Sequence, residues 1–266
     1  MSSDEEATSN FVFGKMEILP ELEGLTKDSL PPPVILDIKR SKFKVEIVQK
    51  ESDPEAKYEV FMRLNTGGSN LSDQELRNAW LVMYNKEFFE WLNDLSKNQD
   101  FKDTLGLSDK LISERYDLEL IVAFLVYPNE YKIFSITDKR DGLTNSLRGI
   151  ARRARENTFD YSNEKIRFEN TFKFLNYALN ENSFRKYYKD ESIFRGGLLE
   201  SLFEAVGIGL SMNIDKYDSK VDVENFIKKV KDIWSDSGFT QFMGSGTNSK
   251  KRIPNVIPFG IKYFSK

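Results

Sequence analysis

The sequence predicts an α+β fold dominated by helices, and three observations carry that reading. From Asp53-Pro54 to about Gly238, apolar residues recur at the three- and four-residue spacing of helix faces. One segment, Phe43–Val48, instead sets Phe43, Val45 and Ile47 against Lys42, Lys44 and Glu46, the period of a half-buried strand. No apolar run approaches the roughly 20 residues that span a bilayer, while 39% of the 266 residues are hydrophobic, enough for a sizeable core.

Residues 1–10, opening Met1-Ser-Ser-Asp-Glu-Glu6, read as a disordered acidic tail. Phe11 to Leu30 is mixed, with apolar residues at Phe11, Phe13, Met16, Ile18, Leu19, Leu22 and Leu25. Pro31-Pro32-Pro33 then reads as a stiff extended connector, because proline does not suit a helix interior. Val34-Ile35-Leu36 and the Phe43–Val48 strand follow, and a lone strand needs partners that this chain scarcely offers. Glu55 to Leu64 is expected to be helical, with Tyr58, Phe61 and Met62 on one face. Asn65-Thr-Gly67-Gly68-Ser-Asn70 breaks it, since paired glycines favour positive φ and a sharp turn.

Ser72-Asp-Gln-Glu75 is a capping box, in which Ser72 and Glu75 each satisfy the other's backbone N–H. The helix it starts runs through Trp80, Leu81 and Tyr84. Further helices are expected near 86–98, 109–127, 143–156, 164–180, 183–190, 192–211 and 220–236, with Pro128, Gly142, Asn157 and Gly238 as punctuation. The stretch from Phe239 to Lys266 is rich in Gly, Ser and Asn over 244–249, basic at Lys250-Lys251-Arg252, and apolar and aromatic at its end. No internal repeat is evident. The chain therefore divides into the 1–10 tail, a strand-bearing region over 11–80 and a helical extension over 81–266.

Two absences narrow the chemistry. Without Cys there is no disulfide, zinc ribbon, iron–sulfur cluster or thiol nucleophile. Without His there is no Ser–His–Asp triad, no histidine general base and no histidine metal site. Carboxylate, Lys, Tyr and Ser/Thr chemistry remain, or none. The 39 Lys and Arg residues against 42 Asp and Glu leave a net charge of −3, so nucleic-acid binding would need a local basic patch. The acidic, polar start is the opposite of a signal peptide, and a cytoplasmic protein with no membrane partner is expected.

The most informative segment is Phe61-Met-Arg63-Leu-Asn65-Thr-Gly67-Gly68-Ser-Asn-Leu-Ser72-Asp-Gln-Glu75-Leu-Arg77-Asn78-Ala79. A helix ends in Arg-Leu-Asn, a double-glycine turn follows, and a capped helix begins. Amides of such a turn and of the first helical turn make an electropositive mouth suited to an anion, and Arg63 adds a fork-shaped donor for phosphate. The plain alternative is a helix–turn–helix corner with Ser72 and Glu75 as caps and Arg77 in a surface ion pair.

This segment resembles the central motif of the GmrSD-type restriction endonuclease N-terminal domain family, also known as domain of unknown function 262. The likeness extends more loosely over residues 11–255, through the Phe43–Val48 strand before the motif and the Phe239 to Arg252 stretch after it. It implies a ParB/sulfiredoxin-like front, here partial, followed by a helical body. It also implies a role in defence against foreign DNA, with nucleotide bound or hydrolysed and modified DNA sensed in some members. Cutting there is usually done by a second, His-containing nuclease domain. The family's Asp-Gly-Gln-Gln-Arg run occurs nowhere in these 266 residues; Asp141-Gly142 is the only Asp-Gly pair, and Leu143-Thr144 follows it. The chain is therefore expected to match the back portion of the domain. A second polypeptide would supply the missing segment, or the product is truncated and non-catalytic, or the frame starts at an internal Met.

By this resemblance Arg63, Asn65, Gly67, Gly68 and Ser72 form a nucleotide- or phosphate-binding corner, with Glu75, Arg77 and Asn78 in structural support. No residue is assigned as catalytic, and NTP with Mg is the cofactor only if a partner completes the site. DNA is the other expected partner. Arg148, Arg152 and Arg155, at i, i+4 and i+7, form one basic helix face that can neutralise successive phosphates; otherwise it is a solvated face paired with Glu156 or Asp160. Lys250, Lys251 and Arg252 are a second DNA-contact candidate, or surface loop, with Arg252 alternatively tying the tail to the body.

Aromatic clusters at Phe88, Phe89 and Trp91, at Phe168, Phe172, Phe174 and Tyr177, and at Phe184, Tyr187 and Tyr188 read as core before base stacking. Asp4-Glu5-Glu6, Glu21/Glu23 and Asp138/Asp141 lack a third ligand, so no metal site is expected. Gly67-Gly68 is not followed by the Lys-Ser/Thr of a Walker loop. The expected function is thus a component of a modification-dependent, restriction-like system, inactive alone. The alternative is a non-catalytic helical module that binds DNA or protein.

Overall fold

The computed structural model describes residues 12–15, 18–42, 57–58, 60–61, 71–243 and 247–266. The chain forms two units, Met1–Lys50 and Glu51–Lys266.

In the first unit, Val12 bridges Thr26 antiparallel, and the Phe13 N–H donates to the Leu25 carbonyl at 2.9 Å. Between these ends the chain turns through a 3-10 helix, Pro20–Leu22, that buries Leu22. The prolines at 31–33 do not form an extended connector. Pro31 is the N-cap and Pro32 the first residue of helix α1, Pro32–Arg40. The reason is positional: a first-turn residue has no intrahelical use for its N–H, so proline costs little there. The expected Phe43–Val48 strand lies outside the described residues, as does most of the expected Glu55–Leu64 helix; Lys57, Tyr58, Val60 and Phe61 are helical.

The second unit is mostly helical. In order come α2 (Asp73–Tyr84), α3 (Lys86–Ser96), α4 (Gln99–Leu105), α5 (Asp109–Ser113), α6 (Tyr116–Glu130), α7 (Lys139–Arg155) and α8 (Tyr161–Leu179). Side-chain caps start most of them: Asn85, Asn98, Asp138 and Asp160 accept the N–H of Phe88, Phe101, Asp141 and Asn163 respectively. Gly106, at φ 51, closes α4 in the left-handed conformation that glycine adopts at least cost.

Helix α6 is the centre of the core. Its residues from Leu120 to Pro128 are buried without interruption, the mark of a helix covered on all sides. Phe124 meets Phe168 and Phe172 of α8 at 5.3 and 5.6 Å between ring centroids, and Phe101 of α4 closes on Phe172 at 4.7 Å.

Pro128 does not end α6, which runs on to Glu130. Nor does Gly142 precede α7; that helix begins at Lys139 under the Asp138 cap. Gly142 lies where an added Cβ would fall 2.5 Å from the Phe134 ring, so close packing sets the residue type. The expected helix at 183–190 is instead strand β1 (Lys186–Tyr188), paired antiparallel with β2 (Ile193–Arg195), Tyr187 opposite Phe194. Aromatic and β-branched side chains favour this pairing, and Ser192 at φ 55 makes the turn.

Helix α9 follows, as Glu200–Leu202, a π-helical turn Phe203–Ile208, and Gly209–Ser211. Then come α10 (Val223–Asp232), α11 (Ser237–Thr240) and α12 (Ser249–Tyr263). Helix α12 was hidden in the sequence by Pro254 and Pro258. It forms because Ile253, Val256, Ile257 and Gly260 bury against α9, where Gly260 allows its backbone to touch Gly209 and Ala205.

Candidate functional site

Helix α2 begins as the capping box requires. Ser72 Oγ accepts the Glu75 N–H at 3.3 Å, and Glu75 Oε2 accepts the Ser72 N–H at 2.7 Å. That backbone hydrogen bond, with the hydroxyl, holds the Glu75 carboxyl below the usual range. Arg63, Asn65, Gly67 and Gly68 lie outside the described residues. Asn78 Oδ1 accepts from Gln74 Nε2 at 2.8 Å.

Arg77 is not in a surface ion pair. It is 2% exposed, its Nε donates to Gln74 Oε1 at 2.9 Å, and its Nη2 reaches Glu119 Oε2 of α6 at 2.7 Å. From Glu119 an alternating chain of charges crosses the unit. Lys139 Nζ of α7 bridges Glu119 Oε1 and Glu200 Oε1, each at 2.7 Å. Glu200 Oε2 accepts from Arg252 Nη2 at 2.8 Å, and Arg252 grips Glu204 through Nε at 2.8 Å and Nη2 at 3.0 Å. The Tyr116 hydroxyl donates to Glu200 Oε1 at 2.8 Å. Three cations thus meet three carboxylates drawn from five helices.

The electrostatics follow from burial and partner. Burial raises Glu204, which is 1% exposed, and Arg252 offsets only part of that. Burial would raise Glu200 as well, but Lys139, Tyr116 and Arg252 together bring it below its ordinary value. Burial would lower Lys139, yet Glu119 and Glu200 outweigh it and the net shift is upward.

One end of this chain opens on a cleft of about 620 Å³ lined by Asp73, Arg77, Glu119, Asp138, Lys139, Arg140, Leu143 and Ser249. Lys139, Arg140, Glu119, Glu200, Glu204 and Ser249 were not singled out for a binding role from the sequence. Their signal was present for two of them: Glu119 and Glu204 interrupt apolar runs, between Leu118 and Leu120 and between Phe203 and Ala205.

The arginines of α7 occupy its other end. Arg148 lies over the Trp80 and Tyr58 rings at 5.3 and 5.8 Å, and Arg155 over Tyr84 at 5.2 Å. Trp80 and Tyr84 stack on each other at 4.6 Å. Arg152, Arg153 and Arg155 are exposed. None of the four arginines forms an ion pair among the described residues, with Glu156 and Asp160 included; Asp160 instead caps α8. Arg152, Arg153 and Arg155 lie in the last turn of α7, where they also complement the helix dipole. Lys250 and Lys251 are exposed in the first turn of α12, while Arg252 is engaged by Glu200 and Glu204.

Among the described residues no group of three or more acidic side chains could hold a metal ion, and no helix is long and apolar enough to cross a membrane. None of the protein-family models, curated proteins or solved structures compared with the chain matches it.

Proposed function

We propose that this chain is the helical body of a DNA-defence component similar to the GmrSD-type N-terminal domain family. It contributes part of a nucleotide- or DNA-phosphate-binding site and is inactive without an Asp-Gly-Gln-Gln-Arg run from outside these 266 residues. NTP and Mg enter only with that completed site. The observation that carries the reading is the arginine row of α7. In a chain with slightly more acidic than basic residues, Arg148, Arg152, Arg153 and Arg155 stand together without carboxylate partners among the described residues. Two of them rest on Trp80 and Tyr84 of α2, the helix that the family-like segment opens. Such a row creates a local positive field that draws a polyanion in spite of the overall charge.

The test is fluorescence anisotropy of a labelled DNA duplex over a salt series. Arg152→Ala and Arg155→Ala are each expected to reduce the log–log salt slope by about 0.9, while Lys97→Ala, at an exposed pair with Asp94, leaves it unchanged. A slope that neither arginine variant alters would sink the reading. The second reading, a non-catalytic helical module that binds DNA or protein, draws on the same row. Nucleotide calorimetry separates the two: such a module binds no NTP even when the complementary segment is added.

A further inference from the structure

The cleft beside Arg77 has no role in DNA contact by the arginine row, and its construction points to an anion of its own. The first residues of three helices line it: Asp73 of α2, Lys139 and Arg140 of α7 behind their cap Asp138, and Ser249 of α12. These helices are 12, 17 and 15 residues long. The leading amides of a helix have no acceptor within it. In each helix the cap takes one of these amides, that of Glu75, Asp141 or Lys251, and the amides ahead of it stay available. Three helix dipoles therefore place partial positive charge around one opening.

Water can satisfy such amides, so the deciding group is Arg77. It lines the cleft and is 2% exposed, with Nε and Nη2 committed to Gln74 and Glu119. Its Nη1 is buried and has no hydrogen-bond partner among the described residues. A buried guanidinium arm with nothing to donate to is a place kept for an acceptor. Arg140 adds a second guanidinium at the rim, only its Nε being held, by Asp141 at 3.1 Å.

The carboxylates of the lining do not reverse this polarity. Glu119 has both oxygens taken, by Arg77 and Lys139, and Asp138 has one of its two, Oδ1, taken by the Asp141 N–H. Asp73 and the second oxygen of Asp138 are uncommitted among the described residues, and they do not make a metal site. Unused donors thus outnumber unused acceptors.

We infer that this cleft binds a phosphate group carried on a small molecule, with Arg77 Nη1, the Arg140 guanidinium and the leading amides of α2, α7 and α12 as donors. The inference deepens the phosphate half of the proposed function and rests on it for taking a nucleotide as the bearer. The anion site itself stands on the cleft.

The experiment is calorimetric titration of the full chain with inorganic pyrophosphate. Ser249→Asp sets a negative charge in the cleft at a helix position where an acidic residue is favoured, so the fold is retained while the anion is repelled. Arg140→Ala removes an exposed donor. Expected are saturable binding to the wild type, a loss of about tenfold or more in Ser249→Asp, a smaller loss in Arg140→Ala, and unchanged circular dichroism in both. Displacement of pyrophosphate by a nucleoside triphosphate but not by a short DNA duplex is the further expectation. Absence of saturable binding, binding that both variants leave unchanged, or displacement by the duplex would each overturn the inference. The duplex salt series on the same proteins keeps the two readings apart, because the cleft fails alone if pyrophosphate does not bind while the arginine-dependent slope persists.

Discussion

Replacing Arg252 by Ala tests whether the buried charge chain holds the C-terminal helix to the body. Arg252 makes three hydrogen bonds to two carboxylates, and one of these, Glu204, is 1% exposed. Truncation leaves Glu204 without its countercharge in a site that water does not reach, a loss of about 3–5 kcal/mol for a buried pair broken on one side. For a unit of this size that corresponds to a fall in Tm on the order of 10 °C. The loss depends on pH in a definite direction. Glu204 already has a carboxyl pKa raised by burial, and removing Arg252 raises it further. A raised folded-state pKa contributes stability that is fully present below the unfolded value and is lost as pH rises through the folded one. The gap between wild type and variant is therefore widest near pH 8 and narrows as pH falls toward about 5. Below that, wild type itself weakens, because the lowered carboxyl of Glu200 gives stability that disappears as pH falls through its folded pKa. Urea denaturation of both proteins at several pH values reads this out. A loss under about 1 kcal/mol at pH 7.5, or a gap independent of pH, would refute the reasoning. Combining Arg252→Met with Glu204→Leu should recover much of the loss, since an apolar pair needs no compensation.

Substitutions at three further positions examine local rules, each by thermal melt. At Gly260 an added Cβ would fall 2.2 Å from the Ala205 carbonyl oxygen, so Gly260→Ala should destabilise by about 1–3 kcal/mol or more as α12 is forced off α9; an unchanged Tm would mean the two helices do not cross so closely. Gly149→Ala, in the middle of α7 with open space around it, should instead stabilise by about 0.5–1 kcal/mol through helix propensity. Ser72→Ala removes one half of the capping box and should cost about 0.5–2 kcal/mol, with Ser72→Asp close to neutral as a substitute cap.

Local features of this fold were legible in the sequence where one short-range rule governed them. The Ser72–Glu75 box formed as read, because both partners lie within one turn. Of the aromatic residues on α8 that read as core, Phe168, Phe172 and Phe174 are buried, whereas Tyr177, read with them, is 70% exposed. Failures came where tertiary packing overrode local preference. Pro254 and Pro258 argue against a helix, yet α12 forms because its apolar face closes on α9. Lys186–Tyr188 fitted a helical spacing, yet pairing with Ile193–Arg195 made a strand of it. The cleft was beyond reach for a different reason: its walls come from α2, α6, α7 and α12, and no spacing rule links Arg77 to Ser249. Arg77 itself was legible as support for the motif, but its reach across to Glu119 was not.

Helices α2 and α7 join these features into one arrangement. Asp73 and Arg77 at the start of α2 meet Asp138 to Arg140 at the start of α7 around the cleft. Trp80 and Tyr84, further along α2, lie under Arg148 in the middle and Arg155 at the end of α7. The two helices therefore run in the same direction, which requires a long crossover, and α3 to α6 provide it. At 1.5 Å per residue, Arg140 and Arg155 are separated by about 22 Å along α7. An anion at the cleft and a DNA backbone at the arginine row would thus occupy opposite ends of the same two helices. The dipoles are matched to this: amides unpaired within their helices face the cleft, and arginines compensate the carbonyl ends. Lys139 ties the cleft end to Glu200 and so, through Arg252, to the C-terminal helix. Loss of α12 would therefore remove both the Ser249 wall of the cleft and the cation that neutralises Glu204, so the C-terminal helix belongs to the site as much as to the fold.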